Sequence, residues 1–167
     1  MYSPLARMGV VSPISNPPIL GPELVSNGTF DTDLTGITAS NSTITRDTSV
    51  FPNGGLKIEA AAGSFQGATV QTISCTIGEQ FLVTARAYAE GANTATNAAS
   101  LTFLSSGGGV NDGDQVSAED EEQGLRFTFT ATATSHTLYA WVLNRGVAWA
   151  SAGDIAYFDN ISIRKVL

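Results

Sequence analysis

A nucleophile needs a thiol or hydroxyl and a base beside it, and this 167-residue chain has one cysteine, Cys75, and one histidine, His136. Cys75 lies in an apolar strand-like stretch and reads as a small buried hydrophobe. His136 stands in a Thr/Ser-rich segment that reads as the start of a strand, and no local motif joins the two as a dyad. A single cysteine allows neither an intrachain disulfide nor a metal site built on paired thiolates. Carboxylates are concentrated in one run, Glu119, Asp120, Glu121 and Glu122. Acid/base work at a glycosidic bond needs two carboxyls facing each other across a cleft, and a run on one loop does not supply that. The run reads as a solvated loop, with a cation site as the alternative. Gly107, Gly108 and Gly109 end a strand and do not stand between strand and helix, as a phosphate loop must. No serine elbow is present. These residues leave catalysis without its parts, so the chain is expected to be no enzyme and to work by binding or by assembly.

The elements that carry these residues are strands. Leu125, Phe127, Phe129, Ala131 and Ala133 alternate with Arg126, Thr128, Thr130, Thr132 and Thr134. Phe81, Val83, Ala85 and Ala87 share one face, with Leu82, Thr84, Arg86 and Tyr88 on the other. Further strands are expected over 56–60, 68–77, 100–104, 137–143 and 157–166, separated by Gly/Asn/Asp/Ser loops, and no stretch has helical periodicity. The pattern predicts an all-β antiparallel sandwich. Charged residues make up 14% of the chain, against ~25% in an average domain. The polar face is built from Thr, Ser, Asn and Gly instead, which suits strands and surfaces that pack on neighbours. A net charge of −7 excludes nucleic acid as a partner held by the overall field. No stretch approaches the ~20 apolar residues that span a bilayer, so no membrane partner is expected.

Residues 1–22 differ from the rest. They hold five of the six prolines, which remove backbone donors and lock φ, so the segment reads as an extended arm rather than a helix or central strand. Tyr2, Leu5, Met8, Val11, Ile14, Ile19 and Leu20 make it too apolar for a solvated tail, and they are the expected contacts to another chain, with docking on its own domain as the alternative. No apolar signal core follows Arg7, which points to synthesis in a cytoplasm without an export signal.

Residues 23–167 resemble the galactose-binding-like jelly rolls, among them family 4 and family 9 carbohydrate-binding modules and many tailed-phage virion domains. The resemblance rests on Asn27-Gly28-Thr29-Phe30-Asp31 at the opening and Tyr157-Phe158-Asp159-Asn160-Ile161-Ser162-Ile163 at the end. Between them, Val70-Gln71-Thr72-Ile73 followed by Gly78-Glu79-Gln80-Phe81-Leu82-Val83 matches an internal strand pair of the family. The fold implied is a jelly-roll β-sandwich.

That resemblance implies a structural calcium ion with Asp31 and Asp159 as side-chain ligands; Asp159 also reads as a plain acceptor of turn hydrogen bonds without metal. Sugar-binding members present aromatic platforms. Here the opening motif runs Leu34-Thr35-Gly36-Ile37 where the family often has a tryptophan, so the candidates are Tyr139 and Trp141, which share a strand face, with Arg86 as a polar partner and Tyr88 and Trp149 as further aromatics. Core or subunit packing is the competing reading of the Tyr139/Trp141 pair. Small size, low charge and the arm favour a virion protein of a tailed phage, a capsid cement or decoration protein. Its partners are then the major capsid protein or another virion protein, its location the virion, and its state, by resemblance, a trimer. The alternative is a carbohydrate-binding module or tail-associated adhesin for host glycans.

Overall fold

The computed structural model describes residues 17–61, 66–91, 97–105, 110–144 and 150–167. Among these residues there are eleven strands and no helix. In chain order they are β1 Leu20–Glu23, β2 Thr38–Ser40, β3 Ser42–Asp47, β4 Gly55–Ala60, β5 Gly67–Ser74 and β6 Gln80–Ala89. Then follow β7 Asn97–Ser105, β8 Val110–Gln115, β9 Gln123–Thr130, β10 Ser135–Asn144 and β11 Ile155–Val166. A first sheet runs β3-β4-β11-β6-β9, with β1 beside β11, and a second runs β2-β5-β10-β7-β8. Every pairing is antiparallel. The expected jelly-roll sandwich is thus the observed architecture.

Alternation decides which face of each strand enters the core between the sheets. On β6, Phe81, Val83, Ala85 and Ala87 point inward, as their spacing predicts, and on β9 Leu125 and Phe129 do the same. The Phe81 and Phe129 rings stack at 6.1 Å across the β6–β9 pair. Phe30, Leu56, Ile58, Phe158 and Ile163 complete the first sheet's share, and Ala68, Val70, Leu138, Ala140 and Val142 face them from the second.

The last strand organises the first sheet. Its first half pairs with β4 and its final residues with β1, while β6 runs along its other edge. The expected arm boundary therefore moves. Leu20 already pairs with Val166, and the Leu167 N–H donates to the Ile19 carbonyl at 2.9 Å. The end of the 1–22 segment is sheet edge in its own chain, where Pro22 is tolerated because an edge strand can spare a donor. Leu20 is half-buried in this edge, and Ile19 is exposed. Tyr2, Leu5, Met8, Val11 and Ile14 lie outside the described residues.

Candidate functional site: the outer face of the second sheet

β10 occupies the middle of the second sheet, between β5 and β7. Leu138, Ala140 and Val142 are fully buried in the core. By the same alternation Thr137, Tyr139 and Trp141 stand on the outer face. The Tyr139 and Trp141 rings stack with centroids 4.8 Å apart and planes 9° from parallel. Such a stack covers one face of each ring. Trp141 is only 5% exposed, whereas Tyr139 is half-buried. Of the two rings Tyr139 is therefore the more exposed, and Trp141 packs against it.

The neighbouring strand is shaped for this pair. Gly67 lies opposite Trp141. A Cβ at Gly67 would sit 2.2 Å from the Ala140 carbonyl oxygen and 2.6 Å from Trp141 Cε3, so only glycine lets the indole lie over β5. Thr69 lies opposite Tyr139, and Thr38 of β2 opposite Thr69. The Thr72 and Thr137 hydroxyls meet at 2.9 Å one position further along. Ser100 of β7 pairs with Trp141 and with Gln115 of β8. The described side chains around the aromatic pair on this face are hydroxyls and an amide, with no charge.

Arg86, expected to serve this platform, belongs to the other sheet. It lies on the outer face of β6, where its Nε and Nη2 each donate to Glu122 at 2.7 Å and its Nη1 to Asp159 at 3.4 Å. Its guanidinium also lies 4.9 Å from the centre of the Phe51 ring. Residue parity placed Arg86 on an outer face but could not tell which sheet owned that face. Tyr88 shares the Arg86 side and donates its hydroxyl to Asp120 at 3.0 Å. Trp149 lies outside the described residues.

The acidic run lies in the loop between β8 and β9 with Asp120, Glu121 and Glu122 exposed, as a solvated loop requires, and two of its carboxylates have partners. Glu122 is held by Arg86, whose hydrogen bonds keep its carboxyl below the usual glutamate value. Asp120, at a φ of 54°, accepts the Gly91 N–H at 2.8 Å as well as the Tyr88 hydroxyl. Both carboxylates brace the first sheet, and no cluster of three metal-binding side chains occurs among the described residues.

The calcium implied for Asp31 and Asp159 does not fit this geometry. The Asp31 carboxylate accepts the Thr29 hydroxyl at 2.8 Å. Asp159 accepts the Asn160 backbone N–H at 2.7 Å and the Asn160 amide at 3.0 Å, and it faces Arg86. Burial raises the Asp159 carboxyl above the usual aspartate value despite those bonds, with Asp31 and Glu122 adding to the rise. The carbonyl oxygens of the opening loop, which would complete a calcium shell, are taken by the Arg46 guanidinium.

Cys75 and His136 are not a catalytic pair. His136 is buried, packs edge-on to Phe129 at 4.5 Å, and accepts the Thr132 and Ala133 N–H groups on Nε2 at 3.2 and 3.0 Å. A nitrogen occupied by two backbone donors ties the β9–β10 turn and is not a free base. The Cys75 thiol donates to the Ala133 carbonyl at 3.3 Å, and burial, then the charge of Glu79, push its pKa up, away from thiolate.

The sequence reading passed over Glu23. Its Oε1 accepts the N–H groups of Leu24, Val25 and Ile163 at 3.0, 3.0 and 2.9 Å, and its Oε2 accepts the Ser162 hydroxyl. One carboxylate thereby clamps the start of the domain to its last strand. Spacing along the chain carries no signal for a contact spanning 140 residues.

No protein-family model and no curated protein matches the chain. Solved structures do. A CBM4 carbohydrate-binding module superposes with a TM-score of 0.58 at 16% identity, covering 85% of this chain and 99% of the module. The CBM22-1 xylan-binding domain of Paenibacillus barcinonensis Xyn10C gives 0.57 at 17% identity, covering 83% and 92%. The enzymatically active domain of tailspike protein 4 from bacteriophage CBA120 gives 0.53 at 19% identity; the match covers 85% of this chain and 21% of that one. The likeness is one of fold: this chain has the jelly-roll β-sandwich of carbohydrate-binding modules. The expected role in capsid decoration, with a capsid protein as partner and a trimeric state, finds no support in these comparisons.

Proposed function

We propose that the chain is a non-enzymatic carbohydrate-binding domain that takes a neutral glycan on the outer face of its second sheet. The observation that carries this reading is the Tyr139/Trp141 stack on the central strand of a five-stranded sheet. A pyranose ring has an apolar C–H face and a rim of hydroxyls. The exposed part of Tyr139 suits the first by apolar and π contact, and Thr69, Thr72, Thr137 and Thr38 suit the second by hydrogen bonds. Trp141 limits the rotamers of Tyr139, which lowers the ordering cost of binding. The absence of charge among the described side chains of this face favours neutral over acidic sugars. The xylan-binding neighbour supports the class of ligand without fixing which glycan is bound here.

The likeness to part of a phage tailspike favours one variant of the reading, an adhesin of a tail that recognises a glycan of the host surface. The ligand separates the two. Retardation in gels containing xylan, β-glucan or β-1,4-galactan supports a module for plant-type polysaccharides. Retention only by bacterial surface polysaccharide supports the adhesin. In either case Tyr139→Ala is expected to weaken binding about tenfold, the value of one aromatic contact, while leaving the thermal midpoint within a few degrees. Binding that Tyr139→Ala leaves unchanged removes this face as the site.

A further inference from the structure

We propose that Arg46 is the resident cation of the loop that opens the domain, so that the fold is independent of divalent metal. Its Nε donates to the Phe30 carbonyl at 2.7 Å, and its Nη2 to the carbonyls of Asp31 at 2.5 Å and Asn53 at 2.6 Å. These oxygens come from two segments, the opening motif and the β3–β4 turn, and a positive charge between them does what a bound metal ion would do. A guanidinium suits the task because its donors are fixed in one plane and spread as a fork.

The backbone is bent to make this contact. Phe30 has a φ of 51°, unusual for a bulky residue, and its side chain is wholly buried while its carbonyl meets Arg46. Gly54 has a φ of 125°, and a Cβ there would stand 2.5 Å from the Phe30 oxygen and 2.6 Å from Arg46 Nη2. The cradle is therefore closed by a residue that only glycine can be, and it is filled by the guanidinium. Around it, Asp31 is bonded to Thr29, and Asp159 to Asn160 and Arg86. Arg46 holds the carbonyls and Arg86 faces the carboxylate, so two side chains divide between them the contacts of a single metal ion.

Thermal unfolding of the full chain tests this, followed by circular dichroism in excess chelator and in millimolar calcium. The parent midpoint is expected to agree within about 1 °C in the two buffers, since a ligand that does not bind the folded state stabilises nothing. Arg46→Ala is expected to lower it by about 3–8 °C, discounted for the exposure of the guanidinium. Arg46→Lys is expected to stay about 2–5 °C below the parent, because an ammonium cannot span all three oxygens. A parent midpoint that calcium raises by about 5 °C or more, as a saturating ligand would, overturns the proposal. So does an Arg46→Ala midpoint equal to the parent's. If Arg46→Ala fails to fold, Arg46→Lys takes its place, and the comparison of buffers needs no variant.

Discussion

At the scale of single residues, the fold is closed by one carboxylate. Burial alone would raise the Glu23 carboxyl, but the Ser162 hydroxyl, the Val25 and Ile163 N–H groups and Arg164 together hold it below the ordinary glutamate value. A lowered folded value contributes stability that is present above the ordinary value and is lost as pH falls through the folded one. Glu23→Gln is therefore expected to lower stability by about 1–3 kcal/mol near neutral pH, because it weakens the acceptor for several N–H groups. The gap between parent and variant should close as the pH falls below the ordinary glutamate value. Chemical denaturation of both across that range measures it, and a gap constant with pH would show that the charge of Glu23 does not matter. The clamp was not legible in the sequence, because beyond the adjacent Leu24 and Val25 N–H groups the partners of Glu23 lie on β11, at the far end of the chain. That Tyr139 and Trp141 share one face was legible from period-two alternation, but which face was not: core packing competed with outward placement until Leu138, Ala140 and Val142 were seen to fill the core.

Among the strands, legibility followed burial. The strands β6, β10 and β11, and β9 at the edge of the first sheet, show in the sequence because one face of each is apolar and enters the core. The other edge strands, β2, β3 and β8, do not. β2 reads Thr-Ala-Ser and β3 alternates only partly buried and exposed positions, while β8 is Val-Asn-Asp-Gly-Asp-Gln, a composition that local propensity assigns to a loop. Their pairing with a neighbour overrides propensity. Gly67 belongs at this scale too, as a residue of β5 whose purpose appears only when β10 is laid beside it. Gly67→Val is expected to cost about 1–3 kcal/mol by overpacking and to displace the indole of Trp141. A shift in tryptophan fluorescence together with a lower denaturation midpoint would register both effects; an unchanged spectrum would mean that Trp141 does not lie on β5.

For the whole molecule, the two outer faces differ in kind. The first sheet presents Arg86, Arg126 and Arg164, with Glu23 and Glu122 paired among them. The second presents hydroxyls and an aromatic stack. Jelly-roll topology creates both faces from one chain, which is why the fold was readable from ordered motifs while the sheet that owns Arg86 was not. Binding on a face whose described side chains carry no charge should be insensitive to ionic strength, since no ion pair among them is screened. An affinity that falls steeply with salt would point to the first sheet instead. The most direct measurement is a titration of the 15N-labelled chain with xylohexaose and, if that is silent, with cello- and galacto-oligosaccharides, followed by amide shifts. The account predicts that the perturbed amides cluster at Thr38, Thr69, Thr137, Tyr139 and Trp141. Perturbations centred on Arg86, Arg126 and Arg164, or none with any neutral oligosaccharide, would contradict it.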